Sequence, residues 1–74
     1  SETVAEIGVR VAGFLAETGL VEQDIAWCFE LAAGHLSEQN FADEARVLLG
    51  IATDQWSALG RRDRVAAIAV QSRP

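Results

Sequence analysis

The sequence predicts an all-α fold of antiparallel helix hairpins, about four helices in all, and three observations carry that expectation. Apolar residues recur at three- and four-residue steps through four segments. No window alternates apolar and polar side chains as a half-buried strand would. Short breaks, each polar or built on Gly, separate the segments, and good helix formers surround the branched residues inside them.

The first segment runs from about Glu2 to Thr18, with Val4, Ile7, Val11, Leu15 and Thr18 on one stripe. Thr3 or Ser1 can cap its start, and Glu6, three residues beyond Thr3, completes a capping box. Gly19 then takes the left-handed C′ position that ends a helix. The second segment, from about Glu22 to Leu36, places Ile25, Cys28, Phe29, Ala32 and Leu36 on one stripe, and Trp27 and Leu31 on the next. That arc is wide enough for burial on two sides. Glu22 and Asp24 suit the positive end of the helix dipole.

The break Ser37-Glu38-Gln39-Asn40 has the length of a hairpin connection, with Asn40 as N-cap of the next helix. The third segment runs to about Leu59 and aligns Phe41, Ala45, Leu48, Leu49, Ala52, Trp56 and Leu59, with Gly60 as its terminator. The last, from about Arg62 to Ser72, groups Val65, Ile68 and Ala69, and Pro74 closes the chain. Val9, Val47 and Ile51 fall off these stripes, which predicts a second buried surface. Gly8, Gly13, Gly34 and Gly50 lie inside helices at a cost of about 1 kcal/mol each against Ala. Close approach of neighbouring helices would offset that cost.

Residues 1–74 make a single helical domain in which half of the side chains are apolar. A chain this short buries only about 60% of its unfolded surface, so apolar flanks must meet another polypeptide. The net charge is −5, and the six cations are all Arg, which opposes binding to a nucleic-acid backbone. A lysine-free composition rich in Ala and Gly points to a GC-rich, bacterial source. Cys28 is the one cysteine, so no internal disulfide can form, and a reducing cytoplasm fits best. No run approaches the roughly 18 apolar residues of a membrane span, and the first residues lack the basic flank and apolar core of a signal peptide.

Little in the chain carries chemistry. Cys28 and His35 share a helix face but stand about 10 Å apart along the axis, where a nucleophile and its base need about 3 Å. Cys28 reads as a small core residue and His35 as a partner for the negative helix end. One Cys and one His cannot build a zinc shell. The carboxylates, Glu30 among them, are mostly spread over faces expected to be solvated. Arg61, Arg62 and Arg64 form the one basic patch, a solubilising turn or a contact for an acidic partner surface. The expectation is a non-enzymatic chain without catalytic residues, cofactor or metal. Trp27, Leu31, Val47, Ile51 and Trp56 are the residues expected to carry partner contacts, since large aromatics are enriched at binding hot spots.

Gly19 and Gly60 each end one helix and precede a polar linker and a β-branched residue followed by Ala (Ile25-Ala26 and Val65-Ala66). That restart recurs at the period of two-helix repeats. The runs Ile25-Ala26-Trp27-Cys28-Phe29-Glu30-Leu31-Ala32, Phe41-Ala42-Asp43-Glu44-Ala45-Arg46-Val47-Leu48-Leu49-Gly50 and Trp56-Ser57-Ala58-Leu59-Gly60-Arg61-Arg62 resemble tetratricopeptide-type repeats. They look most like those in the carboxy-terminal halves of large bacterial signal-responsive transcriptional regulators. The resemblance implies that Phe41 and Ala45 take the aromatic and small-residue roles opening a repeat's second helix, and that Leu59-Gly60 ends it. The turn has Asn40 near the place of the usual Gly, and no Pro closes the repeat. The fold implied is a piece of a right-handed superhelix, or a small helical bundle. One and a half repeats bury a solenoid core poorly, so the chain is expected to cap or continue a longer array. The implied function is a protein–protein interaction module of a bacterial regulator, contacting a protein partner or neighbouring repeats. The alternative is a small independent protein that self-associates as a structural homodimer.

Overall fold

In a computed structural model, described for residues 3–71, the chain forms four helices: α1 Val4–Glu17, α2 Glu22–Glu38, α3 Ala42–Ala58 and α4 Arg62–Gln71. The all-α expectation holds, and no strand occurs among the described residues. The expected start at Glu2, the alternative cap Ser1, and the expected end at Ser72 with Pro74 beyond it lie outside the described residues. α1 opens on the capping box read from the sequence. Thr3 Oγ1 accepts from the Glu6 backbone N–H at 3.2 Å, and Glu6 Oε2 accepts from the Thr3 N–H at 3.2 Å.

All three reversals share one backbone solution. Gly19, Asn40 and Gly60 have φ of 89°, 68° and 73°. At each, the left-handed residue's N–H bonds the carbonyl three residues back, and the next N–H reaches back five, as in Leu20 to Leu15, Phe41 to Leu36 and Arg61 to Trp56. That is the Schellman pattern, which satisfies the last carbonyls of a helix locally. Asn40 therefore closes α2 instead of capping α3, a correction to the sequence reading. Its short polar side chain tolerates the left-handed region, and the residue preceding α3 is Phe41, which makes no side-chain cap bond.

α3 is the central helix and touches each of the others, most widely α2, while α2 and α4 do not approach one another at the backbone. The result is a slab of 34 × 33 × 17 Å. Its core is Ile25, Ala26 and Phe29 from α2, Ala52 and Trp56 from α3, and Ile68 from α4, flanked by Leu15, Leu48, Leu49, Ile51 and Val65. On α1 the buried centre is Gly8 instead of the Ile7/Val11 line, both of which stay largely exposed. The reason is steric. Ile51 Cδ1 occupies the place of a Cβ on Gly8, with Phe29 and Leu48 just beyond, so α1 turns its glycine inward. Of the residues off the main stripes, Ile51 is thus an inter-helix contact, whereas Val9 is exposed.

The other interior glycines do not mark close approaches. A Cβ at Gly13, Gly34 or Gly50 would meet nothing within 4 Å. Each Gly→Ala change there is expected to stabilise by about 0.5–1 kcal/mol through helix propensity, measurable as a raised urea midpoint with unchanged slope. Gly8→Ala, by contrast, should be near neutral, because the propensity gain is spent on swinging Ile51 aside. Equal gains at all four positions would contradict the packing of Ile51 on Gly8.

Candidate interaction surfaces

The side chains at the junction of α2, α3 and α4 form a polar–aromatic cluster. Glu30, in the middle of α2, is only 10% exposed at its side chain. Its Oε2 accepts from Trp56 Nε1 at 2.7 Å and its Oε1 from Arg64 Nη2 at 2.7 Å. Trp56 is fully buried and meets Trp27 edge-on, with ring centroids 5.3 Å apart at 79°. The Arg64 guanidinium lies 4.2 Å from the Trp27 ring, and that of Arg61 lies 5.1 Å from the Trp56 ring. Cations over indole faces are attracted by the ring quadrupole. Arg61 also donates from Nη1 to Gln23 Oε1 at 3.0 Å and grips Asp63 through two parallel bonds of 3.0 Å each. Those bonds hold the Asp63 carboxyl down to about 2.

Two expectations change here. Glu30 is not on a solvated face, because its carboxylate fills the gap between an indole N–H and a guanidinium that arrive from two other helices. Arg61 and Arg64 are not simply a solubilising turn, since both fold inward onto tryptophans, while Arg62 is exposed. The only sequence signal was spacing: Trp27 and Glu30 are three apart on α2 and so share a face. Their partners lie 26 and 34 residues beyond Glu30, out of reach of local pattern.

On the opposite edge, α1 and α2 diverge and leave an open groove of about 370 Å³. One wall is Val4, Ile7, Val11 and Leu15 of α1, with Gly8 among them, the other is Cys28 and Ala32 of α2, and Phe29 and Leu48 complete it. Every lining group is apolar or a thiol. Cys28 is therefore an exposed groove-wall residue and not the core residue expected. Its side of α2 faces α1, and the two helices meet too sparsely to cover it.

Of the five residues expected to carry contacts only Trp27 and Trp56 are brought together, as the edge-on ring pair. Trp27 is 37% exposed beside Arg64 at the α4 junction, and Leu31 stands 73% exposed on the outer side of α2. Val47 is on the outer side of α3 at 36%, and Ile51 packs against Gly8. Trp56 has no exposed surface, so it serves the core, and no partner can touch it while this fold holds. The groove is walled instead by the two apolar stripes read from the sequence, Val4, Ile7, Val11 and Leu15 of α1 and Cys28, Phe29 and Ala32 of α2, which periodicity assigned to a core.

No family model, curated protein or solved structure matches this chain. His35 lies in the last turn of α2, as expected from the helix dipole, and is exposed there. Among the described residues no three His, Cys, Asp or Glu side chains converge as metal ligands. No described helix is long and apolar enough to cross a membrane.

Proposed function

We propose that this chain is a non-catalytic protein–protein interaction module built of tetratricopeptide-like hairpins, and that it belongs to a cytoplasmic regulatory protein of a bacterium. The observation that carries the reading is the uncovered groove between α1 and α2, an apolar trough flanked by two helices and thus shaped for a third. The recurring reversal at Gly19, Asn40 and Gly60 supports the repeat character, since it launches each helix from the previous one by the same local geometry. The absence of lysine and the bidentate capture of one Arg by Asp63 support a protein partner over a nucleic acid.

An apolar fluorescent dye tests this in dilute solution. The chain is expected to bind the dye, and Ala32→Glu, which sets a carboxylate on the groove wall at an exposed position, is expected to abolish binding with helical circular dichroism unchanged. A chain that binds no dye while fully folded would remove the groove as an interaction surface.

A further inference from the structure

The α1 edge carries a ridge beside its groove. Ile7, Val11 and Phe14, at steps of four and three, form an exposed apolar stripe, with Phe14 63% exposed at its crest. The groove follows the same helix from Val4 to Leu15, about three turns. The ridge spans about two turns and so fits within the groove's length, with Ile7 and Val11 as the rim that the two share. A two-fold axis crossing α1 lays each copy's ridge into the other's groove, which is the self-complementarity a symmetric pair requires. We infer that this edge pairs with a second copy of the chain, α1 against α1 in antiparallel register. The inference rests on the groove being an interaction surface, as proposed above.

Three observations favour a second copy as occupant. The walls hold no charged or hydrogen-bonding group apart from the Cys28 thiol, so the occupant must present an apolar face. Among the described helices α1 exposes three large apolar residues at helical spacing, whereas α2 exposes Trp27 and Leu31, of which Trp27 is already engaged by Trp56 and Arg64, and Val70 stands on α4. Charge also permits the approach. The chain carries −5 overall, but Val4–Glu17 holds only Glu6, Arg10 and Glu17, so this edge is nearly neutral and a like copy is weakly repelled. A specific pair buries about 800 Å² per partner. That is about a sixth of this molecule's 5098 Å², more than one short helix and its groove supply alone, so the pair is expected to be weak and dependent on concentration.

Sedimentation equilibrium of the intact chain, from low micromolar to millimolar concentration, tests the pairing. A monomer–dimer equilibrium is expected. The Cys28 thiol should react more slowly with a thiol reagent, and bound dye should be released, as the dimer forms. Phe14→Glu should weaken pairing more than about tenfold. Val70→Glu on α4, about equally exposed but outside the groove, should leave it unchanged. Circular dichroism identifies folded variants, and wild-type Cys28 protection reads the same contact without any substitution. A monomer at every concentration that still binds dye overturns the second copy and leaves the interaction surface standing. A monomer that binds no dye overturns both. A dimer broken by Val70→Glu but not by Phe14→Glu, or one in which Cys28 stays fully reactive, places the contact on another face and overturns the inference.

Discussion

Trp56→Ala is expected to destabilise the domain by about 3–5 kcal/mol. A chain of this length has roughly 4–11 kcal/mol in total at typical stability per residue. The isolated variant should therefore be substantially unfolded or close to it. The indole is the largest fully buried side chain, in contact with the α2 and α4 sides of the core. Its removal leaves a cavity that α2 and α4 cannot both collapse into, and it strips Glu30 of a donor. Trp56→Phe comes close to separating the two contributions, since it keeps most of the ring volume and loses the N–H with the smaller part of the indole. It should cost about 1–3 kcal/mol, the range for a buried acceptor left without its donor. Urea unfolding followed by circular dichroism measures both. A loss below about 1 kcal/mol for the alanine variant would contradict the central place of this ring in the core.

The second large effect belongs to Glu30. Glu30→Ala is expected to cost about 2–4 kcal/mol, below the range for a fully buried pair because the Arg64 side chain keeps 23% exposure. The Arg64 guanidinium would then sit against Trp27 with no anion beside it, and the Trp56 N–H would lose its acceptor. Arg64→Ala removes one contact of Glu30 and leaves the other, so it should cost less. The double-mutant cycle should return a coupling of about 1–3 kcal/mol. Its spatial signature is specific. α4 has a single buried residue, Ile68, and no backbone approach to α2, so the Glu30–Arg64 pair is its one charge-assisted tie to that helix among the described residues. Amide exchange in α4 should rise in Glu30→Ala while the amides of the α2–α3 hairpin stay protected. Uniform loss of protection would contradict a tie of this local kind.

The parts of this fold legible in the sequence are those set by contacts within one turn. The Thr3–Glu6 box, the terminators Gly19 and Gly60, and the four helical segments all depend on neighbours three to five residues away. Asn40 was misplaced because the same short amide serves both as an N-cap and in the left-handed region, and only the bond from Phe41 to Leu36 decides between them. The face of α1 was rotated because periodicity counts side chains and so overlooks Gly8, whose missing side chain is what admits Ile51. Cys28 and Glu30 exchanged their expected surroundings for one cause. Which flank of α2 meets α1 and which meets α4 is settled by helices distant in the chain.

The Trp27–Trp56 pair has a spectroscopic consequence. The chain has two tryptophans and no tyrosine, so its intrinsic emission arises almost wholly at the α2–α3–α4 junction. The only thiol lies at the opposite edge, on the trough beside α1. Nature has thus placed one optical and one chemical reporter at the two ends of the slab. Unfolding that exposes the thiol before the emission shifts would be α1 peeling away from a hairpin that remains intact.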